Sequence, residues 1–221
     1  EQQLPPTLCL DHSLPDIKGN LVRTRNGDNW SGMTGEGVLI GIIDTGIDFT
    51  HKTFINPDNT TRLVGIWDQT LNAQAGETAP GQLPIVQVLD QPAGQPANPV
   101  VLGYGVEYNR DKINQALNNA NPHSIVRHKD EDKHGHGTHV AGIAGGDGSQ
   151  SDSCFGAYTY VGVAPKADFI IVRMAGLTTG DPSPTSPQGV TVDAIRYIIA
   201  VANSITGVVG HMIPVVINGS F

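Results

Sequence analysis

Three apolar runs interrupt an otherwise polar chain. VLIGIID (38–44) is almost continuously apolar and rich in β-branched residues, and ADFIIVRM (167–174) and MIPVVIN (212–218) are of the same character. Unbroken apolar runs of this length, rather than strict alternation, predict strands covered on both faces, as in a parallel sheet. TVDAIRYIIAVANSI (191–205) places Val192, Ile195, Ile198, Ile199 and Ala202 at helical spacing. Thr191 and Asp193 stand near its start, where the helix dipole favours capping and acidic side chains. HGHGTHVAGIAGG (134–146) ends in small residues that suit a closely packed helix. Strands alternating with helices predict an α/β fold, a doubly wound parallel sheet with helices on both faces.

Elsewhere the texture is polar. Residues 1–37 read as an irregular lead-in with a turn cluster at Ser31-Gly32-Met33-Thr34-Gly35. From about Pro57 to His128 the chain turns to Pro, Gly, Gln and Asn, as in AQAGETAPGQLP and LDQPAGQPANPV. Within it RLVGIWD (62–68) reads as a short strand and NRDKINQALNNA (109–120) as a short amphipathic helix. So many turn residues do not build a core, and the region is expected to be a large surface insertion at about 57–128 of a single domain, 1–221. A chain of 221 residues is long enough for a sizeable core.

Composition narrows the partners. The net charge of −8 argues against nucleic acid or an anionic membrane, since phosphates need Lys and Arg to neutralise them. No apolar run approaches the roughly 20 residues of a membrane span. The start, EQQLPPTLCL, lacks the basic and long apolar stretches of a signal peptide, and a trimmed N-terminus would look the same. Cys9 and Cys154 are the two cysteines, and whether they pair is open.

Two stretches carry candidate chemistry. In GIIDTGID, Asp44 falls at the carboxyl end of its strand, the edge where open α/β sheets collect ligands and catalytic groups. An Asp-Thr-Gly serves a carboxylate dyad or orients a histidine; the bland reading is a turn or N-cap aspartate. A dyad needs a second such motif, which the chain lacks, and so would require a homodimer. HGHGTHVAG brings His134, His136 and His139 within six positions. They fit a metal site of His-x-His spacing, or one of them is a general base at a helix start.

Together these motifs resemble the subtilisin-like serine proteases, the subtilases. The resemblance runs from about Trp30 to Phe221 through TGEGVLIGIIDTGID, HGTHVAG, GVAPKADFIIVRM, AIRYIIAVAN and VVINGS, in family order. The piece between aspartate and histidine is longer than in compact members, similar to bacterial subtilases with an insertion there. The resemblance implies a serine endopeptidase acting on polypeptides, with Asp44 and His136 as two of the triad. The order Asp, His, then Ser is that of subtilisin. His136 would take a proton from a serine hydroxyl and return it to the leaving amine, while Asp44 holds the ring in one tautomer. His139, one turn on, is expected to be structural, and His134 has no assigned role.

VVINGSF resembles the strand that runs beside the substrate, so Ser220 and Phe221 are expected to pair with an extended peptide and edge a pocket. Asn218 matches a strand asparagine of the family, not its oxyanion-hole asparagine. The loop AGLTTGDPSPTSPQG (175–189) is expected to border the cleft. The resemblance implies that catalysis needs no cofactor. Family members often bind structural calcium, for which Asp130-Glu131-Asp132 is a candidate attractor or simply a solvated loop, and no ligands are assigned. Export from the cell follows from the resemblance alone.

The third member of the triad is missing. The family nucleophile sits in a Gly-Thr-Ser at the start of a later helix, and the chain contains no such triplet. Ser31, Ser149, Ser151, Ser153, Ser183 and Ser204 stand in turn-like or helical contexts. In subtilisin, losing the serine costs on the order of 10⁶ in turnover, and an oxyanion donor about 10²–10³. The 221 residues alone are therefore expected to be inert, and their last apolar strand would present an unpaired edge. The expectation is a domain incomplete at its C-terminus, whose remainder brings serine and oxyanion hole. The alternatives are a catalytically inactive subtilase-like scaffold or binding protein, and a metal-dependent hydrolase using the histidine cluster.

Overall fold

A computed structural model describes residues 10–27, 29–83, 101–130, 135–151, 153–177, 189–205 and 213–220. A short helix, α1 (Leu10–Asp16), leads to a hairpin of β1 (Arg23–Asn26) and β2 (Asn29–Gly32). The lead-in is therefore more ordered than its polar texture suggests. Its anchor is one buried cation: Arg23 Nη1 donates to the carbonyls of Gly162, at 2.6 Å, and Val163, and its guanidinium lies 5.1 Å from the Trp30 ring centroid. Asn26 pairs with Asn29, and the chain reverses at Gly27, whose φ of 60° suits the first central position of a two-residue hairpin loop.

Among the described residues the central sheet has five strands. They are β3 (Leu39–Asp44), β4 (Leu63–Asp68), β7 (Val106–Asn109), β8 (Asp168–Arg173) and β9 (Val215–Gly219), in the order β7-β4-β8-β3-β9. β4, β8, β3 and β9 run parallel, and β7 pairs antiparallel with β4 at one edge. A separate two-stranded ladder joins β5 (Gly81–Gln82) to β6 (Val101–Leu102). All six residues of β3 are buried, as an unbroken apolar run requires. The third apolar run forms β9 from Val215 onward; Met212 lies outside the described residues.

The region expected to be a surface insertion supplies part of the core. β4 is an inner strand whose Leu63, Ile66 and Trp67 are fully buried, and β7 and the helix α2 (Arg110–Leu117) add Val106, Tyr108, Ile113 and Ala116. Turn residues crowd this region by composition, yet a six-residue strand suffices to fill a place between β7 and β8. The most Pro-rich part, 84–100, lies outside the described residues.

Two apolar layers sandwich the sheet. On one face Ile40, Ile42, Ile66 and Phe169 meet α2 and the helix α3 (His136–Gly145), which offers Ala141. On the other, Leu39, Ile43, Trp67, Ile170 and Val172 meet the helix α4 (Val190–Ile205). α4 turns Ala194, Tyr197 and Ile198 inward and leaves Val192 and Ile195 exposed. Glycines in the strands set that choice. A Cβ on Gly41 would stand 2.7 Å from Ile198 Cγ2, and one on Gly65 3.0 Å from the Tyr197 hydroxyl. Burying a large side chain is worth about 1.5–3 kcal/mol, so the face that finds these notches wins over the more β-branched one.

Candidate active site

β3 delivers Asp44 to the carboxyl edge of the sheet. Its register aligns Asp44 with Arg173 at the end of β8, and Arg173 aligns with Asp68 at the end of β4. A carboxylate, a guanidinium and a second carboxylate thus line one sheet edge. Asp44 is fully buried, and its Oδ1 accepts the Thr45 N–H at 2.7 Å.

His136 opens α3 and brings its ring to the same carboxylate: Nδ1 lies 2.7 Å from Asp44 Oδ1. The two side chains differ sharply in exposure, 48% for His136 and 1% for Asp44. A buried carboxylate this close accepts a proton-bearing nitrogen, which fixes the neutral ring with Nδ1–H toward Asp44 and Nε2 as the basic nitrogen. Asp44 Oδ2 is buried and has no hydrogen-bond partner among the described residues.

Close backbone contact makes this approach possible. Gly46 adopts φ 130°, and a Cβ there would stand 2.5 Å from the Lys129 carbonyl oxygen. Gly137 is tighter still, since its Cβ would fall 2.1 Å from the Gly46 carbonyl oxygen. Both positions exclude any side chain.

Asp130 ties the turn to the helix. Its Oδ1 accepts the Thr45 hydroxyl at 2.8 Å; its Oδ2 accepts the Thr138 hydroxyl at 2.6 Å and the Thr138 N–H at 2.8 Å. The Thr45 hydroxyl oxygen accepts the Gly137 N–H at 3.1 Å, and the Thr138 hydroxyl oxygen accepts the Asp48 N–H at 2.8 Å. The N-cap, Gly135, makes no side-chain cap, so Thr45 and Asp130 satisfy N–H groups of the first turn that the helix leaves unpaired. Of the stretch Asp130-Glu131-Asp132, the last two residues lie outside the described residues, and both oxygens of Asp130 are engaged by threonines. No group of three or more metal-ligating side chains forms among the described residues.

A second Asp–His pair lies two strands along the sheet, on the far side of β8. His128 Nδ1 is 2.7 Å from Asp68 Oδ2, and its Nε2 accepts the Ile47 N–H at 3.0 Å. Both side chains are fully buried. Asp68 Oδ1 also accepts the Thr70 N–H and hydroxyl, at 3.0 and 2.6 Å. Burial pushes the Asp68 carboxyl up, but the His128 and Thr70 hydrogen bonds and the nearby Arg173 outweigh it and hold it below its ordinary range. Neither residue stands in a motif, so the sequence gives no sign of the pair.

The remaining site expectations fall as follows. His139 is exposed, and its N–H donates to the Gly135 carbonyl within α3. His134 and Phe221 lie outside the described residues. Ser220 follows β9, with its N–H 3.4 Å from the Ile43 carbonyl oxygen and its hydroxyl donating to Asn218 Oδ1 at 2.7 Å. Other serine hydroxyls are engaged locally, Ser149 with Asp147 and Ser204 with the Val201 carbonyl. Cys154 is exposed, and Cys9 lies outside the described residues. Among the described residues no helix is long and apolar enough to cross a membrane.

A mostly parallel sheet with one antiparallel edge strand, covered by helices on both faces and with an Asp–His contact at its carboxyl edge, defines an α/β fold of the subtilisin-like kind. The subtilase family model matches residues 35–219, and the chain belongs to that family of peptidases. It is 29% identical over 167 residues to a PII-type proteinase of Lacticaseibacillus paracasei, covering 73% of this chain and 7% of that protein. A PI-type proteinase of Lactococcus lactis subsp. cremoris is 29% identical over 165 residues, with the same coverage of 73% and 7%. Among solved structures, that of the Clostridium perfringens CspB protease superposes with a TM-score of 0.57 at 29% identity, covering 86% of this chain and 30% of that one. The chain spans 7% of the length of these curated relatives.

Proposed function

We propose that these residues belong to a serine endopeptidase in which His136 is the general base and Asp44 its orienting carboxylate. The observation that carries this reading is the 2.7 Å contact between His136 Nδ1 and Asp44 Oδ1, made by a half-exposed ring on a buried carboxylate. With the Nδ1 proton held by Asp44, Nε2 accepts the proton of an attacking hydroxyl and later donates it to the leaving amine. Asp44 stays ionised and stabilises the imidazolium. The attacking serine and the oxyanion donors come from polypeptide outside these 221 residues, so the 221 residues alone turn over no substrate.

The substrate is an extended polypeptide. Ser220, at the end of β9, has its N–H beside the Ile43 carbonyl, one residue from Asp44. Ser220 and Phe221 would border the residue before the cut. Export from the cell belongs to the same reading, on family membership alone.

Hydrolysis of an unfolded polypeptide by the whole protein that carries these residues tests the proposal. Hydrolysis abolished by a serine-directed phosphonylating reagent and retained in chelator is the expected result. Hydrolysis that resists the phosphonylating reagent and is lost in chelator would point to a metal-dependent hydrolase, and no hydrolysis at all to an inactive scaffold.

A further inference from the structure

We propose that His128, backed by Asp68, is a positioning residue for the Asp44–His136 pair and acts through the backbone of the turn that follows Asp44. The proposal rests on the proteolytic reading above. An N–H is accepted only by an unprotonated nitrogen, so the Ile47 N–H at 3.0 Å places the lone pair on His128 Nε2. The ring proton then sits on Nδ1 and is donated to Asp68 Oδ2 at 2.7 Å. This is the arrangement of the Asp44–His136 pair repeated two strands along the sheet, with a difference in exposure. The His128 ring and the Asp68 carboxylate are sealed from solvent, whereas the His136 side chain is 48% exposed. A sealed pair reaches no substrate; what its outward nitrogen reaches is the turn carrying Asp44.

That turn is held from three directions. Asp130 and the Gly137 N–H hold Thr45, and Thr138 holds the Asp48 N–H. Ile47 is held by His128. Asp68 itself accepts from the Thr70 N–H and hydroxyl and stands 3.9 Å from Arg173 Nη1, whose strand lies between β4 and β3. An apolar side chain in place of the ring would leave both the Ile47 N–H and the Asp68 carboxylate without their buried partner, so the site calls for a group that donates at one end and accepts at the other. A shift of about 1 Å in a catalytic group costs on the order of 10² in rate, so loss of this bridge is expected to appear in kcat.

The test uses the whole protein with three substitutions and one spectroscopic measurement. His128→Gln keeps an acceptor at the position of Nε2, His128→Asn keeps only a donor toward Asp68, and His128→Leu keeps neither. The expected result is that Gln retains kcat within about 10-fold, while Asn and Leu lose on the order of 10² in kcat with KM within about 3-fold. In the unsubstituted protein, long-range ¹H–¹⁵N correlation of labelled histidine is expected to show His128 as the Nδ1–H tautomer, a result independent of activity and of whether a variant folds. An Nε2–H tautomer or a cationic ring overturns the inference. So do Gln, Asn and Leu falling together, or a loss confined to KM, in a protein whose unsubstituted form hydrolyses polypeptide; the proteolytic reading then stands. An unsubstituted protein that shows the Nδ1–H tautomer but no hydrolysis overturns that reading, and with it the catalytic purpose assigned to His128.

Discussion

Gly46 and Gly137 meet backbone to backbone, and this contact sets how closely Asp44 and His136 approach. A Cβ on Gly137 would lie 2.1 Å from the Gly46 carbonyl oxygen, well inside any real carbon–oxygen contact. In an exposed helix, Gly→Ala gains about 1 kcal/mol from propensity. Here the displaced backbone dominates. Gly137→Ala is expected to lower stability by about 1–3 kcal/mol and to reduce kcat/KM by on the order of 10². Thermal unfolding and steady-state kinetics of the whole protein check this, and an unchanged or stabilised variant would contradict the packing argument.

Asp130 is expected to separate cap from charge. Asp130→Ala removes the acceptor for Thr45 and for the Thr138 N–H, and loss of a helix cap costs about 1 kcal/mol. Asp130→Asn keeps one acceptor oxygen and is expected to cost less than Ala. Denaturant unfolding of both variants measures the ordering, and equal stability of Ala and the unsubstituted protein would remove the capping role.

Glu77 gives an acid-dependent signature in the segment that leads to His128. Arg127 Nε donates to Glu77 Oε1 at 2.8 Å and Nη2 to Oε2 at 2.5 Å, while the Tyr108 hydroxyl donates to Oε1 at 2.7 Å. The Arg127 hydrogen bonds, opposed by burial and helped by Tyr108, hold the Glu77 carboxyl down from 4.5 to about 2. A folded value below the ordinary one means stability that is fully present above pH 4.5 and lost as pH falls through about 2. Glu77→Gln is therefore expected to be less stable than the unsubstituted protein at pH 7, by about 1–3 kcal/mol, with the gap closing between pH 4.5 and 2. Thermal melts across that range check it; a gap that does not vary with pH would contradict the pairing.

Where chemistry or apolar character is contiguous, the chain is readable. Asp44 and His136 sit in short motifs with their glycines beside them, and β3 and β8 are six-residue strands whose buried runs announce themselves. Other features depend on residues far apart in sequence. Asp68 and His128 are 60 positions apart, and Thr45 and Asp130 85, so neither pair leaves a local pattern. β4 is legible as a strand, but its place inside the sheet is not, because the surrounding composition is that of turns. The inward face of α4 depends on Gly41 and Gly65, two missing side chains in other elements.

The most direct measurement is the rate and site of phosphonylation by a fluorophosphonate in the whole protein, compared with Asp44→Asn and His136→Ala. Asp44 as orienting carboxylate and His136 as base predict one modified serine, located outside these 221 residues by peptide mapping, and labelling slowed by on the order of 10⁴ in Asp44→Asn and more, on the order of 10⁶, in His136→Ala. Labelling at an undiminished rate in both variants, or an adduct on a serine within the 221 residues, would contradict the assignment.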